Sequence, residues 1–325
     1  MITTINKLEQ LSTQGVGIQN LWEKAKQINE NREDCLVKMG DFSFSDEAKV
    51  SLKGVSFDMT EYALSQQCAK IKVPVTYIKN CFNQGMGHLA SRNMNDWINV
   101  YKDKALLVRT YDGVIRGILS DRYSKLDSQD VLEMLGEHRW TSQLKVVGSY
   151  LSEDRFHVRM VVPEKLSIAQ DDLYVGLQID NSDIGMASLS VKLLVYKQVC
   201  TNGLVVGKEE GVLFGRRHIG ITFNDFREQI CFRMNSFGDL TEKVVAIINQ
   251  NKAVRLNSLE IGKRLNRVKQ VLGLGKEELE KLNDLINDRY GMTNWGLING
   301  LTEIAQDYTL DKRIEIEKYA SHLLY

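Results

Sequence analysis

Proline is almost missing from this chain: Pro74 and Pro163 are the only two among 325 residues. No proline-rich linker therefore divides it. No apolar run reaches the roughly 18 residues of a membrane-spanning helix, so a membrane role is not expected. Surplus charge is missing too, with 42 Lys+Arg against 42 Asp+Glu. A strongly basic nucleic-acid binder would carry an excess, so any anion-binding surface has to be local. The five cysteines, Cys35, Cys68, Cys81, Cys200 and Cys231, are odd in number and dispersed, with no C-x-x-C pair. That pattern fits reduced thiols in a cytoplasm better than a disulfide framework or a zinc site. Residues Met1 to Glu9 lack a basic start followed by an apolar run, so no secretory signal is expected.

The familiar catalytic signatures are also missing. Gly273-Leu274-Gly275-Lys276-Glu277 resembles a phosphate loop only briefly, because Glu277 stands where Ser or Thr would hold magnesium. A helix end followed by a new helix start is the better reading. Asp180-Asn181-Ser182-Asp183 resembles the opening of a calcium loop, but Val191 occupies the position that needs Glu. His88, His138, His157, His218 and His322 are isolated and show no metal-ligand spacing. No catalytic residue, metal or cofactor is expected.

What is present is ample apolar residue, 43% of the chain against 26% charged, which is too apolar for disorder. Residues 1–100 read as mainly helical. Leu21, Trp22, Ala25 and Ile28 recur at helical spacing, Thr60 is a candidate N-cap, and Pro74 closes the helix behind it. A helix-turn-helix is disfavoured because the turn glycine is missing. Residues 101–220 read as an antiparallel sheet core. Asp112-Gly113 between two strand-like runs is a strong hairpin signal, since a type I′ turn needs φ > 0 at both central residues. A helix capped at Asp127 or Ser128 follows, then strands at Leu144–Leu151, Phe156–Val162, Leu173–Ile179 and Leu189–Val199. Residues 221–325 return to helix. The expected fold is α+β: a central twisted antiparallel β-sheet with one crossing helix, flanked by helical N- and C-terminal regions.

Side chains alternate along each strand, so the hairpin sorts its residues onto two faces. Leu106, Val108, Thr110, Ile115 and Leu119 form the apolar one, and Arg109 faces Arg116 on the other. Later strands repeat the pattern. The second face gathers Arg109, Tyr111, Arg116, Arg122, Tyr150, Arg159, Tyr174, Lys192 and Tyr196, with Arg216 and Arg217 in a basic loop beyond. Cations beside flat rings are what single-stranded DNA requires, for phosphates and bases respectively. The bland alternative is that Tyr and Arg simply suit a solvated or helix-covered sheet face. Cys200 beside Thr201-Asn202-Gly203 reads as a packed thiol before a tight turn.

Arg109-Thr110-Tyr111, Leu119-Ser120-Asp121-Arg122-Tyr123 and Val199-Cys200-Thr201-Asn202-Gly203 resemble hallmarks of the phage/plasmid-like protein family, domain of unknown function 932. Asn294-Trp295-Gly296-Leu297-Ile298-Asn299-Gly300 resembles its C-terminal segment, with Gly300 where Ala is expected. The likeness runs from about residue 55 to about residue 310. The family carries no assigned active site. What the resemblance implies is a setting in phages and other mobile elements, where single-strand annealing recombinases use a twisted sheet crossed by a helix. The expectation is a non-catalytic, sequence-independent single-stranded DNA binding or annealing protein, cytoplasmic and homo-oligomeric, acting in recombination or replication. The alternative is a module that binds a phage or host protein, such as an inhibitor of host defence.

Overall fold

The computed structural model describes residues 18–137, 144–152, 154–168, 171–197, 202–205, 212–220, 222–235 and 237–325. The fold is α+β, built on two mostly antiparallel sheets where one central sheet was expected.

The first sheet belongs to the N-terminal part. After helix α1 (Ile18–Asn29) come strands β1 (Arg32–Lys38), β2 (Phe42–Phe44), β3 (Val50–Leu52) and β4 (Val55–Met59), then helices α2 (Glu61–Ile71), α3 (Val75–Asn83) and α4 (Gly87–Val100). The expectation of a mainly helical segment over residues 1–100 therefore misses four strands. The hairpin β5 (Ala105–Tyr111) and β6 (Val114–Ser120) completes the sheet in the order β1-β5-β6-β4-β3-β2. Among the described strands only the β4–β6 pair is parallel. Thr60 caps α2 as expected, accepting from the Ala63 amide. Pro74 opens α3; α2 has already ended at Lys72 in a left-handed conformation. The apolar side of the sheet, with Val108, Ile115 and Ile118, packs on Leu64, Ile78 and Met94 of the three helices.

The hairpin turns at Asp112-Gly113 with φ of 52° and 72°, both positive as a type I′ turn demands. Its register departs from the expectation. Arg109 pairs with Gly117, and a bulge at Arg116 shifts the ladder before Thr110 meets Ile115. One extra residue reverses which side chains face the core. Ile118 consequently packs in the core of the first sheet, and Leu119 lies outside that cluster.

Helix α5 (Ser128–Glu137) leads to the second sheet: β7 (Lys145–Leu151), β8 (Phe156–Ile168), β9 (Asp171–Asn181), β10 (Leu189–Lys197), β11 (Asn202–Val205) and β12 (Val212–Arg216). The order is β11-β10-β9-β8-β7, with β12 also pairing β10. Alternate residues Leu173, Val175, Leu177 and Ile179 of β9 are all buried. The first pair packs with the C-terminal helices, and the second with α1, α5 and α6 (Phe223–Asn235). Asn202 and Gly203 sit in β11 opposite Lys197 and Tyr196, so the pair is strand and not turn. Cys200 and His138 lie outside the described residues.

The C-terminal region is helical as expected: α7 (Phe237–Ala253), α8 (Ser258–Leu272), α9 (Lys276–Asp284), a π-helical turn (Leu285–Tyr290), α10 (Asn294–Ile304) and α11 (Leu310–His322). Gly273 ends α8 at φ 64°, a C-cap where a phosphate loop was considered. At Gly300 a Cβ would lie 2.6 Å from Leu282 Cδ1 but 3.8 Å from the Leu282 carbonyl oxygen, so only the Leu282 side chain would have to turn aside.

Candidate functional site

The basic strand residues predicted to face a DNA strand are mostly inside the protein. Arg109 has 0% exposure. Its Nε and Nη2 donate to the two carboxylate oxygens of Asp34 at 2.8 and 2.9 Å, a bidentate pair across the β1–β5 register. Its Nη1 donates to Asp127 Oδ1 at 2.5 Å and to the Asp183 carbonyl at 2.6 Å. Arg116 and Tyr111 are also buried. Arg159 of β8 donates to Gln178 Oε1 at 3.0 Å and pairs with buried Glu317 of α11. The half-buried Lys192 points to Asp180 at 3.4 Å. Desolvating an unpaired guanidinium is so costly that buried arginines need such partners. As placed, Arg109, Tyr111, Arg116 and Arg159 are closed to a strand, which corrects the expected exposed face. Tyr150 is half-buried, and the side chain of Tyr196 lies outside the described residues. Arg122, Arg216 and Arg217 are exposed.

Around Arg109 the acids are held in different states. Burial works to raise Asp34, but hydrogen bonds and charge from Arg109 and Lys125 outweigh it and hold the carboxyl at about 2. Asp183 is raised to about 7, by burial first and then by the Asp127 charge. Its Oδ1 accepts from the Ser128 amide at 2.8 Å and the Ser128 hydroxyl at 2.7 Å. The network joins the first sheet, the start of α5 and the β9–β10 loop, and so fixes one sheet against the other.

Beside it opens a cleft of about 530 Å³. The end of α2, the end of β6, the β9–β10 loop and the segment after β12 supply its walls, with Gln66, Lys70, Lys104, Tyr123, Arg217 and His218 among the lining residues. Gln66 ties two walls together: its amide donates to the Ile184 carbonyl at 2.9 Å, and its Oε1 accepts from the Ile118 amide at 2.7 Å. Tyr123 and His218 stack with centroids 4.9 Å apart and planes 10° from parallel. The Tyr123 hydroxyl donates to the Ser182 carbonyl at 2.9 Å, and burial raises its pKa. Lys70 is pushed down by burial and then by the like charge of Lys104. Neither Lys70, Lys104 nor Arg217 has an ion pair with a described residue. The Asp121 charge favours the Lys70 ammonium from nearby but forms no ion pair with it, and cations without ion pairs around a pre-formed concavity suit an anion.

Two of these lining segments carried a sequence signal. Tyr123 ends one of the family-like runs, and His218 follows Arg216-Arg217 in the basic loop. Gln66, Lys70 and Lys104 had none, because their positions acquire meaning only when α2 meets β6 and the residue before β5. Among the described residues no group of three His, Cys, Asp or Glu could hold a metal ion. No helix among them is long and apolar enough to cross a membrane.

Fold and site together define an α+β protein with two linked sheets and a basic cleft between them. Within that class, the chain belongs to the family described as Domain of unknown function (DUF932), whose profile matches residues 116–323. No curated protein and no solved structure matches the chain.

Proposed function

We propose that the protein binds single-stranded DNA without catalysing a reaction on it, and that the cleft takes one nucleotide unit of the strand. The observation that carries this reading is the convergence of Lys70, Lys104 and Arg217 on a cleft that also holds the stacked Tyr123–His218 pair. Cations neutralise phosphate, and ring faces accept a base with little regard to sequence. Exposed Arg122 and Arg216 adjoin Tyr123 and Arg217 in the chain and extend the basic rim. Within this reading the setting is recombination or replication of a mobile element, with the protein acting as a homo-oligomer.

The test is a titration with labelled oligothymidylate at two salt concentrations. Replacing Lys70, Lys104 and Arg217 together by Ala should weaken binding. It should also flatten the salt dependence, by about 0.7 log units per tenfold change in salt for each phosphate left without its cation. Equal affinity and slope in the folded variant would remove the cleft from the proposal. A wild-type protein that ignores the strand at low salt would sink the reading. A protein partner would then lead, since Trp97 and Val100 of α4 are 41% and 67% exposed.

A further inference from the structure

We propose that His218 is a ligand-responsive residue of the cleft: it takes up a proton as a phosphate-bearing strand enters, supplying positive charge that the ligand-free cleft lacks. The inference rests on the cleft being the binding site and deepens that reading with a specific residue.

Both ring nitrogens of His218 face carbonyl oxygens. Nδ1 lies 3.1 Å from the Ser124 carbonyl, and Nε2 lies 2.8 Å from Asn181 Oδ1. The Asn181 amide is held in that orientation because its Nδ2 donates to the Leu126 carbonyl at 3.0 Å. A neutral imidazole has a single N–H, so it leaves one nitrogen lone pair against a carbonyl oxygen. Only the imidazolium satisfies both contacts.

Opposing this is the surrounding charge and solvent exclusion. His218 is 4% exposed, and burial holds its pKa below the usual imidazole value. Arg109 also disfavours the charged ring, and Asp127 favours it. On the cleft side stand the cations Lys70, Lys104 and Arg217, with the Asp121 carboxylate acting on Lys70. Lys125 follows Ser124 in the chain, and Asp183 reaches the same cluster through Ser128. The ring is therefore poised between good hydrogen bonding when charged and poor solvation when charged. An anion in the cleft offsets the three cations, and the balance moves to the imidazolium. Because both nitrogens are turned to protein carbonyls, the ring acts on the ligand through charge and through its stacking on Tyr123.

Linkage fixes the sign. A group whose pKa is higher in the complex binds a proton with the ligand, so affinity rises as pH falls between the bound and free values. The slope reaches at most about tenfold per pH unit for one proton. Oligothymidylate is a suitable probe because no group on it titrates near neutral pH.

Its affinity should be measured across pH for wild type, His218→Asn and Asp183→Asn. Wild type and Asp183→Asn should bind more tightly as pH falls, and His218→Asn should be flat. A flat wild type, or an equal slope in His218→Asn, overturns the proposal. Should His218→Asn fail to fold, nitrogen NMR of the wild-type ring decides. Saturating oligothymidylate should convert a neutral imidazole pattern to an imidazolium one, and an unchanged ring refutes the idea. Binding without proton uptake defeats only this inference, whereas no binding at any pH defeats the cleft reading as well.

Discussion

Arg109 and Arg217 carry the same guanidinium and meet opposite surroundings. Arg109 is fully buried between Asp34, Asp127 and the Asp183 carbonyl. Arg217 is exposed on the rim of the cleft, where Lys70 and Lys104 are its charged company. In the first place charge is matched inside the protein and serves to join two sheets. In the second it is left unmatched, which makes it available to something from outside. A basic residue on a strand says little about binding until its acidic partners are known.

The largest test of that contrast is Arg109→Ala. Removing the guanidinium leaves half-buried Asp34 with only Lys125 and buried Asp127 with only Arg32, and breaking a buried pair of this kind costs about 3–5 kcal/mol. Urea unfolding would measure it. A loss near that of an exposed substitution would show that the network is not what holds the sheets together.

An intermediate effect is expected from pH. Asp183 titrates at about 7 in the folded chain against 3.8 for the ordinary carboxyl. Between those values the folded state keeps a proton that the unfolded state has lost. The contribution is therefore full below 3.8 and is lost as pH rises through about 7. Asp34 has the reverse sense: its contribution is present above 3.8 and is lost as pH falls through about 2. Unfolding midpoints of Asp183→Asn should consequently decline less than those of wild type as pH rises toward 7. An identical decline would place the titrating group elsewhere.

The smallest effect belongs to Arg217→Ala. An exposed cation without an ion pair should change stability by no more than about 0.5 kcal/mol. The same unfolding measurement checks it, and a loss of several kcal/mol would erase the distinction between the two arginines.

Much of the fold was legible in the sequence where a signal is local. The Asp112-Gly113 turn, the Thr60 cap and the helices from Ser258 onward follow from residues a few positions apart. Strand β1 was not legible, because Val37 is its only buried residue and no apolar alternation marks it. The bulge at Arg116 likewise leaves no pattern to read, yet it alters the hairpin register. The misplacement of the site has a similar cause. Asp34 and Asp183 lie 75 and 74 positions from Arg109. An isolated strand therefore displays its cations and hides the acids that neutralise them.

That separation also has a consequence for synthesis. The β5–β6 hairpin needs only its own short turn, but β1 must wait for β5, and Arg109 must wait for the Asp183 carbonyl. Contacts that close long loops form late and expose the chain meanwhile. As the polypeptide leaves the ribosome, Asp34 stays without its guanidinium until β5 has emerged. Arg109 then completes its hydrogen bonds only when the second sheet is already being made, so the first half of the chain matures on the arrival of the second.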